Sequence, residues 1–263
     1  MHGSRELNAL IEARGAALAY PGAEEPALRG LDLTLSAGQL VILLGPNGGG
    51  KTTLFRGLMG ELAPTVGSLR VTAPVAYLPQ HDLSRTDFPV TALDVVLMGT
   101  LGERRPWQRP GRAERQRAHE TLERVGLAER AGASFGELSG GQRRRVLLAR
   151  TIVQRAPVIL LDEPLAGVDP ASAQAIDEVL RGLRDEGRLV LVASHDIEQA
   201  KRADRVLCLN GRLIAAGTPG AVLTEATLRA TYAAELTLLP ATGDADTLGG
   251  LGAVGVVEHH HHH

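Results

Sequence analysis

A chain of 263 residues exceeds one typical domain, yet α/β domains of this size are common, so one core with an inserted or lateral subdomain is expected. Apolar residues make up 44% and charged residues 22%, a profile of soluble globular proteins, and no apolar run is long enough to span a membrane. A net charge of −2 excludes a global pull toward nucleic acid or anionic lipid, and the lone Cys208 excludes an internal disulfide.

No charged and apolar leader opens the chain, which points to the cytosol. Met1 to Ser4, and Glu258 with the histidines His259 to His263, read as vector and purification remnants and carry no functional weight. The cations are 26 Arg and 2 Lys, a bias against which Lys51 stands out.

From Leu7 to Leu35 short apolar stretches alternate with turn residues, Tyr20-Pro21-Gly22 and Arg29-Gly30, which predicts antiparallel strands. Tyr20, before its Pro-Gly turn, offers a flat face for a nucleotide base or simple packing. The run Leu40 to Leu44 then leads into Gly45-Pro46-Asn47-Gly48-Gly49-Gly50-Lys51-Thr52-Thr53, which fits G-x-x-x-x-G-K-[ST] between a buried strand and a helix, Thr52 to Met59. Glycine N–H groups can face phosphate oxygens there without side chains in the way. Lys51 reaches the β- and γ-phosphates, and Thr52 offers its hydroxyl to magnesium. A plain glycine-rich turn has no need of Lys-Thr at that offset.

Leu69 to Val71 and Val75 to Leu78 read as strands, and Gln80 at the second strand's end can turn a neutral oxygen toward a metal-bound phosphate. Between about Ser84 and Arg150 the pattern is helical: Thr91 to Met98, Arg112 to Val125, and a third helix from about Ser139. The Arg-rich stretch Glu103 to Arg117 is a solvated face or a contact for lipid headgroups or an acidic partner. Ser139-Gly140-Gly141-Gln142 opens the third helix. It is a capped start or a second anion site, because Ser caps the helix while two glycines leave N–H groups open.

Val158 to Leu161 is a run buried on both faces that ends in Asp162-Glu163, at the strand end where ligands sit in α/β sheets. Asp162 is placed to serve a magnesium ion, and Glu163 to orient or deprotonate water. Asp169 before Pro170 reads as an N-cap. Leu189 to Ala193 is a further strand, and His195 after it is either a γ-phosphate contact or structural. Val206 to Leu209 and Arg212 to Ala215 flank Asn210-Gly211, a hairpin signal. Two helical segments follow, near Pro219 to Leu223 and Ala226 to Ala233, and the composition beyond Pro240 predicts a mobile tail.

In this order the motifs resemble the nucleotide-binding subunit of an ABC transporter from about Arg14 to Ala233, above all Leu138-Ser139-Gly140-Gly141-Gln142 ahead of the Asp162-Glu163 strand and His195. The resemblance implies an α/β fold: a P-loop NTPase (RecA-like) core over residues 5–86 and 151–239, with an N-terminal antiparallel β subdomain and an inserted helical subdomain at 87–150. It implies that Tyr20 stacks on adenine, Gly45 to Thr53 hold the phosphates, and Gln80 links magnesium to the membrane partner. Ser139 to Gln142 contact the γ-phosphate of ATP on the opposite subunit. Asp162 serves the metal, Glu163 the water, Asp169 the dimer interface and His195 the γ-phosphate.

ATP and Mg2+ are the implied ligands. The implied partners are a membrane permease, a second copy of the chain and an extracytoplasmic solute-binding protein, with the subunit on the cytoplasmic face of the membrane. Phe88 to Gly99 and Leu165-Ala166-Gly167-Val168-Asp169 are similar to the manganese and zinc uptake branch. Soluble relatives acting on DNA or ribosomes usually carry a long coiled-coil insertion or two nucleotide-binding halves, and neither is present. The family commonly has Gln where Arg144 stands.

Overall fold

The computed structural model describes residues 9–80, 89–103, 105 and 108–236. The expected tail beyond Pro240, both terminal remnants, Leu7 and Phe88 lie outside them, as does part of the Arg-rich stretch. In chain order the elements are β1 (Ala9–Leu18), β2 (Leu28–Ser36), β3 (Gln39–Leu44), α1 (Lys51–Leu58), β4 (Pro64–Val71) and β5 (Val75–Leu78). Then follow α2 (Ala92–Met98), α3 (Arg112–Arg124), α4 (Gly140–Ile152), β6 (Val158–Asp162), α5 (Pro170–Asp185) and β7 (Leu189–Ala193). The described chain ends with α6 (Ile197–Lys201), β8 (Arg205–Leu209), β9 (Leu213–Gly217), α7 (Pro219–Val222) and α8 (Glu225–Leu236).

Two sheets form. The smaller is antiparallel in the order β2-β1-β4. Arg29-Gly30, expected as a turn, lies inside β2, because a glycine at positive φ can also make a bulge. Gly30 (φ 64) and Gly15 of β1 (φ 53) each sit at a shift in the β1–β2 register, so the strands kink and continue pairing. Tyr20-Pro21-Gly22 does form a turn, with the Ala23 N–H donating to the Tyr20 carbonyl at 3.1 Å.

The larger sheet has the order β5-β6-β7-β3-β8-β9, parallel except for β9. Its central strands are the unbroken apolar runs of the sequence, and alternate side chains enter opposite faces. Leu40, Ile42 and Leu44 of β3 join one core with α2, α3, α4 and α5, whereas Val41 and Leu43 join the other with β1, β2 and α1. Residues of the helical stretch therefore share a continuous core with one sheet face. Cys208 is fully buried in β8, and burial pushes its thiol pKa up.

The β8–β9 hairpin differs from a two-residue Asn-Gly turn. Leu209 pairs with Leu213, leaving three residues in the loop, of which Gly211 alone has positive φ (62). The loop is built against the glycine-rich segment after β3: the Gly211 N–H donates to the Gly49 carbonyl at 3.0 Å. A Cβ on Gly45 would fall on the Leu209 carbonyl oxygen. Gly45→Ala is therefore expected to destabilise the fold by about 1–3 kcal/mol through overpacking. Urea unfolding should show a lower midpoint at unchanged slope.

Candidate functional site

The parallel pairing fixes where the functional side chains meet. Leu43 of β3 and Asp162 of β6 both lie opposite Ala193 of β7, so the three central strands end at one level. Two hydrogen bonds continue this alignment, from the Glu163 N–H to the Ala193 carbonyl and from the Ser194 N–H to the Leu43 carbonyl, both 3.0 Å. The glycine-rich loop, Asp162-Glu163 and His195 thus issue from adjacent strands, with Gln80 beyond β5 at the flank of β6. Ligands in open α/β sheets bind outside such carboxyl ends.

Helix α1 begins at Lys51, and its N-cap, Gly50, has φ 99 and no side chain to satisfy the first N–H groups. An uncapped helix start carries unpaired donors and the positive end of the dipole, a ready anion site. At Gly48 (φ 76) no atom stands within 4 Å of where a Cβ would be, and the residue is exposed. Lys51 is buried, and its Nζ donates to the carbonyls of Gly45 at 2.5 Å and Pro46 at 3.1 Å. Its charge is thereby held at the centre of the loop. Pro46, Gly49 and Gly50 are buried, while Asn47 and Thr52 face solvent.

The Thr52 hydroxyl donates to Asp162 Oδ2 at 3.1 Å. The Tyr77 hydroxyl donates to the same oxygen at 3.3 Å, with its ring edge-on to Phe55. The Gln80 Nε2 donates to Glu163 Oε2 at 2.8 Å, and Glu163 itself has φ 47, a left-handed backbone that is rare outside glycine. Thr52 with Asp162, and Gln80 with Glu163, thus form two bonded pairs that adjoin through the consecutive residues Asp162 and Glu163. Their metal-capable groups are a hydroxyl, two carboxylates and an amide oxygen, hard donors that suit magnesium. Among the described residues no group of three or more His, Cys, Asp or Glu could hold a metal ion alone.

His195 is exposed at the end of β7. Tyr20 shares a 3.2 Å hydrogen bond with Thr53 Oγ1, and the Arg56 guanidinium lies over its ring, 5.5 Å from the centroid. Ser139 and Gln142 bond each other as a capping box: Ser139 Oγ accepts from the Gln142 N–H at 3.2 Å, and Gln142 Oε1 from the Ser139 N–H at 3.0 Å. Gly141 packs so closely on α5 that a Cβ there would meet Ser172 Oγ at 2.8 Å and Asp169 Oδ2 at 2.9 Å. Asp169 is the N-cap of α5, and its bonds from Ser172 hold its carboxyl below the usual range.

Tyr77 and Arg56 carry no local signal in the sequence, whereas Arg144 shows there only as a departure from the family's usual glutamine. Burial, and then the Asp162 charge, push the Tyr77 hydroxyl from 10.0 up to about 12. The folded chain keeps this proton in a window where the unfolded chain loses it. The linked stability is therefore complete below pH 10 and is lost as pH rises toward about 12. Tyr77→Phe should unfold with a shallower loss of melting temperature across that window than the parent protein.

A family model described as ABC transporter matches residues 28–166. The zinc transport system ATP-binding protein TroB of Treponema pallidum is 40% identical over 82% of this chain and 86% of its own length. The manganese transport system ATP-binding protein MntB of Bacillus subtilis is 37% identical over 82% and 90%. Among solved structures, a chain of a transporter described as of the metal-chelate ABC type, inward-facing, aligns with TM-score 0.78 at 29% identity, covering 86% of this chain and 90% of that one. The ATP-binding cassette MJ0796, a dimer in a post-hydrolysis state with ADP and Pi, aligns with TM-score 0.68 at 26% identity over 80% and 98%. The glycine-rich loop, the acidic strand end and the capped Ser139 helix stand in one fold with these relatives: the chain belongs to the ABC transporter family, as an ATP-binding and ATP-hydrolysing subunit.

Proposed function

We propose that this subunit powers import of a divalent metal ion such as manganese or zinc by binding and hydrolysing ATP as a head-to-tail pair of copies beneath a membrane permease. The observation that carries the ATPase site is the Thr52–Asp162 hydrogen bond, which joins the glycine-rich loop to the acidic strand end across 110 residues of sequence. The names of the zinc and manganese relatives support the cargo. An extracytoplasmic binding protein would deliver the ion, and the subunit would lie on the cytoplasmic face of the membrane, held there by the permease. No described helix is long and apolar enough to cross a membrane.

In this reading Gly45 to Thr53 wrap the phosphates, and Lys51 exchanges its loop carbonyls for β- and γ-phosphate oxygens. Thr52, Asp162 and Gln80 are the residues that would hold Mg2+, which when bound neutralises charge on the phosphate oxygens. Tyr20, backed by Arg56, presents its ring to adenine. Glu163 orients a water and accepts its proton as the new bond to the γ-phosphorus forms and the bond to ADP breaks. His195 donates to the γ-phosphate. Ser139 to Gln142 complete the site of the other copy, and Asp169, packed on Gly141, borders the interface.

The groove between the helical part, 87–150, and the core, near Gln80 and the helix that holds Asp94, would receive a cytosolic helix of the permease. Met98 and Leu101, both exposed near the end of α2, supply apolar surface there. Residues 5–86 and 151–239 are the ATP-binding core. Loss of the γ-phosphate bridge opens the pair, and that motion is handed to the permease.

Glu163→Gln is expected to lower turnover by on the order of 100- to 10,000-fold. With ATP and magnesium it should run as a dimer on size-exclusion chromatography, and a variant that stays monomeric would overturn the paired scheme. Lys51→Ala should lose ATP binding in a titration with a fluorescent nucleotide; unchanged affinity would refute its role. The cargo is tested in the reconstituted complex, where manganese or zinc, and not an unrelated solute, should stimulate ATP hydrolysis.

A further inference from the structure

Arg144, the residue that departs from the family's usual glutamine, lies in α4 two positions beyond Gln142 and is 9% exposed. A guanidinium carries five N–H groups in a planar fork. Here Nη2 donates to the carbonyls of Asp162 at 2.7 Å and Glu163 at 2.9 Å. The Nη1 donates to Pro79 at 3.0 Å and Gln80 at 3.2 Å, and Nε to Pro164 at 3.3 Å. These five acceptors are backbone oxygens. They flank the two residues whose side chains bond each other at 2.8 Å, Gln80 and Glu163.

This arrangement has two physical consequences. Glu163 sits at φ 47, and the carbonyls before it, on it and after it are gripped by one rigid fork, which holds a backbone conformation that a non-glycine residue otherwise leaves. The fork also belongs to the helix that begins at Ser139, so a displacement of α4 is carried to the ends of β5 and β6 together. A glutamine has two N–H donors and could serve at most two of the five carbonyls.

We propose that Arg144 is a positioning residue for hydrolysis: it sets the Glu163 carboxylate and the Gln80 amide in place and couples them mechanically to the Ser139 helix. The proposal rests on the assignment of Glu163 as the residue that activates water. Arg144→Gln is expected to lower kcat by roughly 10- to 100-fold, the size of effect that misplacing a reacting group produces. Its affinity for ATP, read with a fluorescent nucleotide, should stay within about twofold, because the glycine-rich loop is untouched. Arg144→Lys, with three donors on one nitrogen, should fall between the two. It also serves as the test should the glutamine variant fail to fold.

Combined with Glu163→Gln, Arg144→Gln should reduce the residual phosphate release no further, since both act through one carboxylate. Three results would overturn the proposal: an Arg144→Gln enzyme with parental kcat, a parallel loss of kcat and ATP affinity, or additive losses in the double variant. A parental protein that hydrolyses no ATP with its permease present would instead overturn the functional reading beneath it.

Discussion

The parallel register of β6, β7 and β3 is the constraint on which the site depends. Each strand is apolar on both faces, so it is stable only with partners on both edges and cover above and below. The antiparallel sheet with α1 provides one cover, and the helices α2 to α5 the other. Once Leu43 and Asp162 are both paired to Ala193, the segments that follow have nowhere to emerge except side by side. Thr52 after the glycine-rich loop and the Asp162 carboxylate, 110 residues apart in the chain, become hydrogen-bonding neighbours.

Charge is then distributed over that strand-end surface in a consistent way. Lys51 is buried against loop carbonyls and Arg144 against five carbonyls at the ends of β5 and β6, so two cations stand beneath the proposed phosphate site. The acceptors described for both are backbone oxygens. The carboxylates of Asp162 and Glu163 bond to neutral donors, Thr52, Tyr77 and Gln80. Neutral partners position a carboxylate without neutralising it, which suits the metal and water roles proposed for Asp162 and Glu163.

The glycines show how a fold and a site share residues. Gly50 leaves the start of α1 uncapped, while Gly45 lets the loop lie directly on the β8–β9 turn. Gly141 does the same for α4 against Asp169 and Ser172. In each place a Cβ would crowd a neighbouring segment: Leu28 at Gly50, Leu209 at Gly45, and Ser172 with Asp169 at Gly141. The helix at Ser139 differs from α1 in carrying a capping box of its own Ser139 and Gln142, so its first-turn geometry is set before any ligand arrives.

Much of this was legible in the chain itself. The buried runs, the helix starts at Ser139 and Asp169, and the Gly-Lys-Thr loop are local patterns, because periodicity and capping depend on residues within a turn or two of one another. Local pattern also misled: Arg29-Gly30 resembles a turn, yet β1 holds it in a strand as a bulge, and Asn210-Gly211 lengthens to a three-residue loop because it is seated against Gly49. Strand order, the Tyr77 bond to Asp162, the Arg56 cover on Tyr20 and the Arg144 fork were settled by tertiary structure alone. Each joins residues from separate elements, and a hydrogen bond between Arg144 and the carbonyl of Pro79 leaves no trace in the residues around either. The sequence determined which chemical groups were available and which segments would be buried; the sheet decided which of those groups would touch.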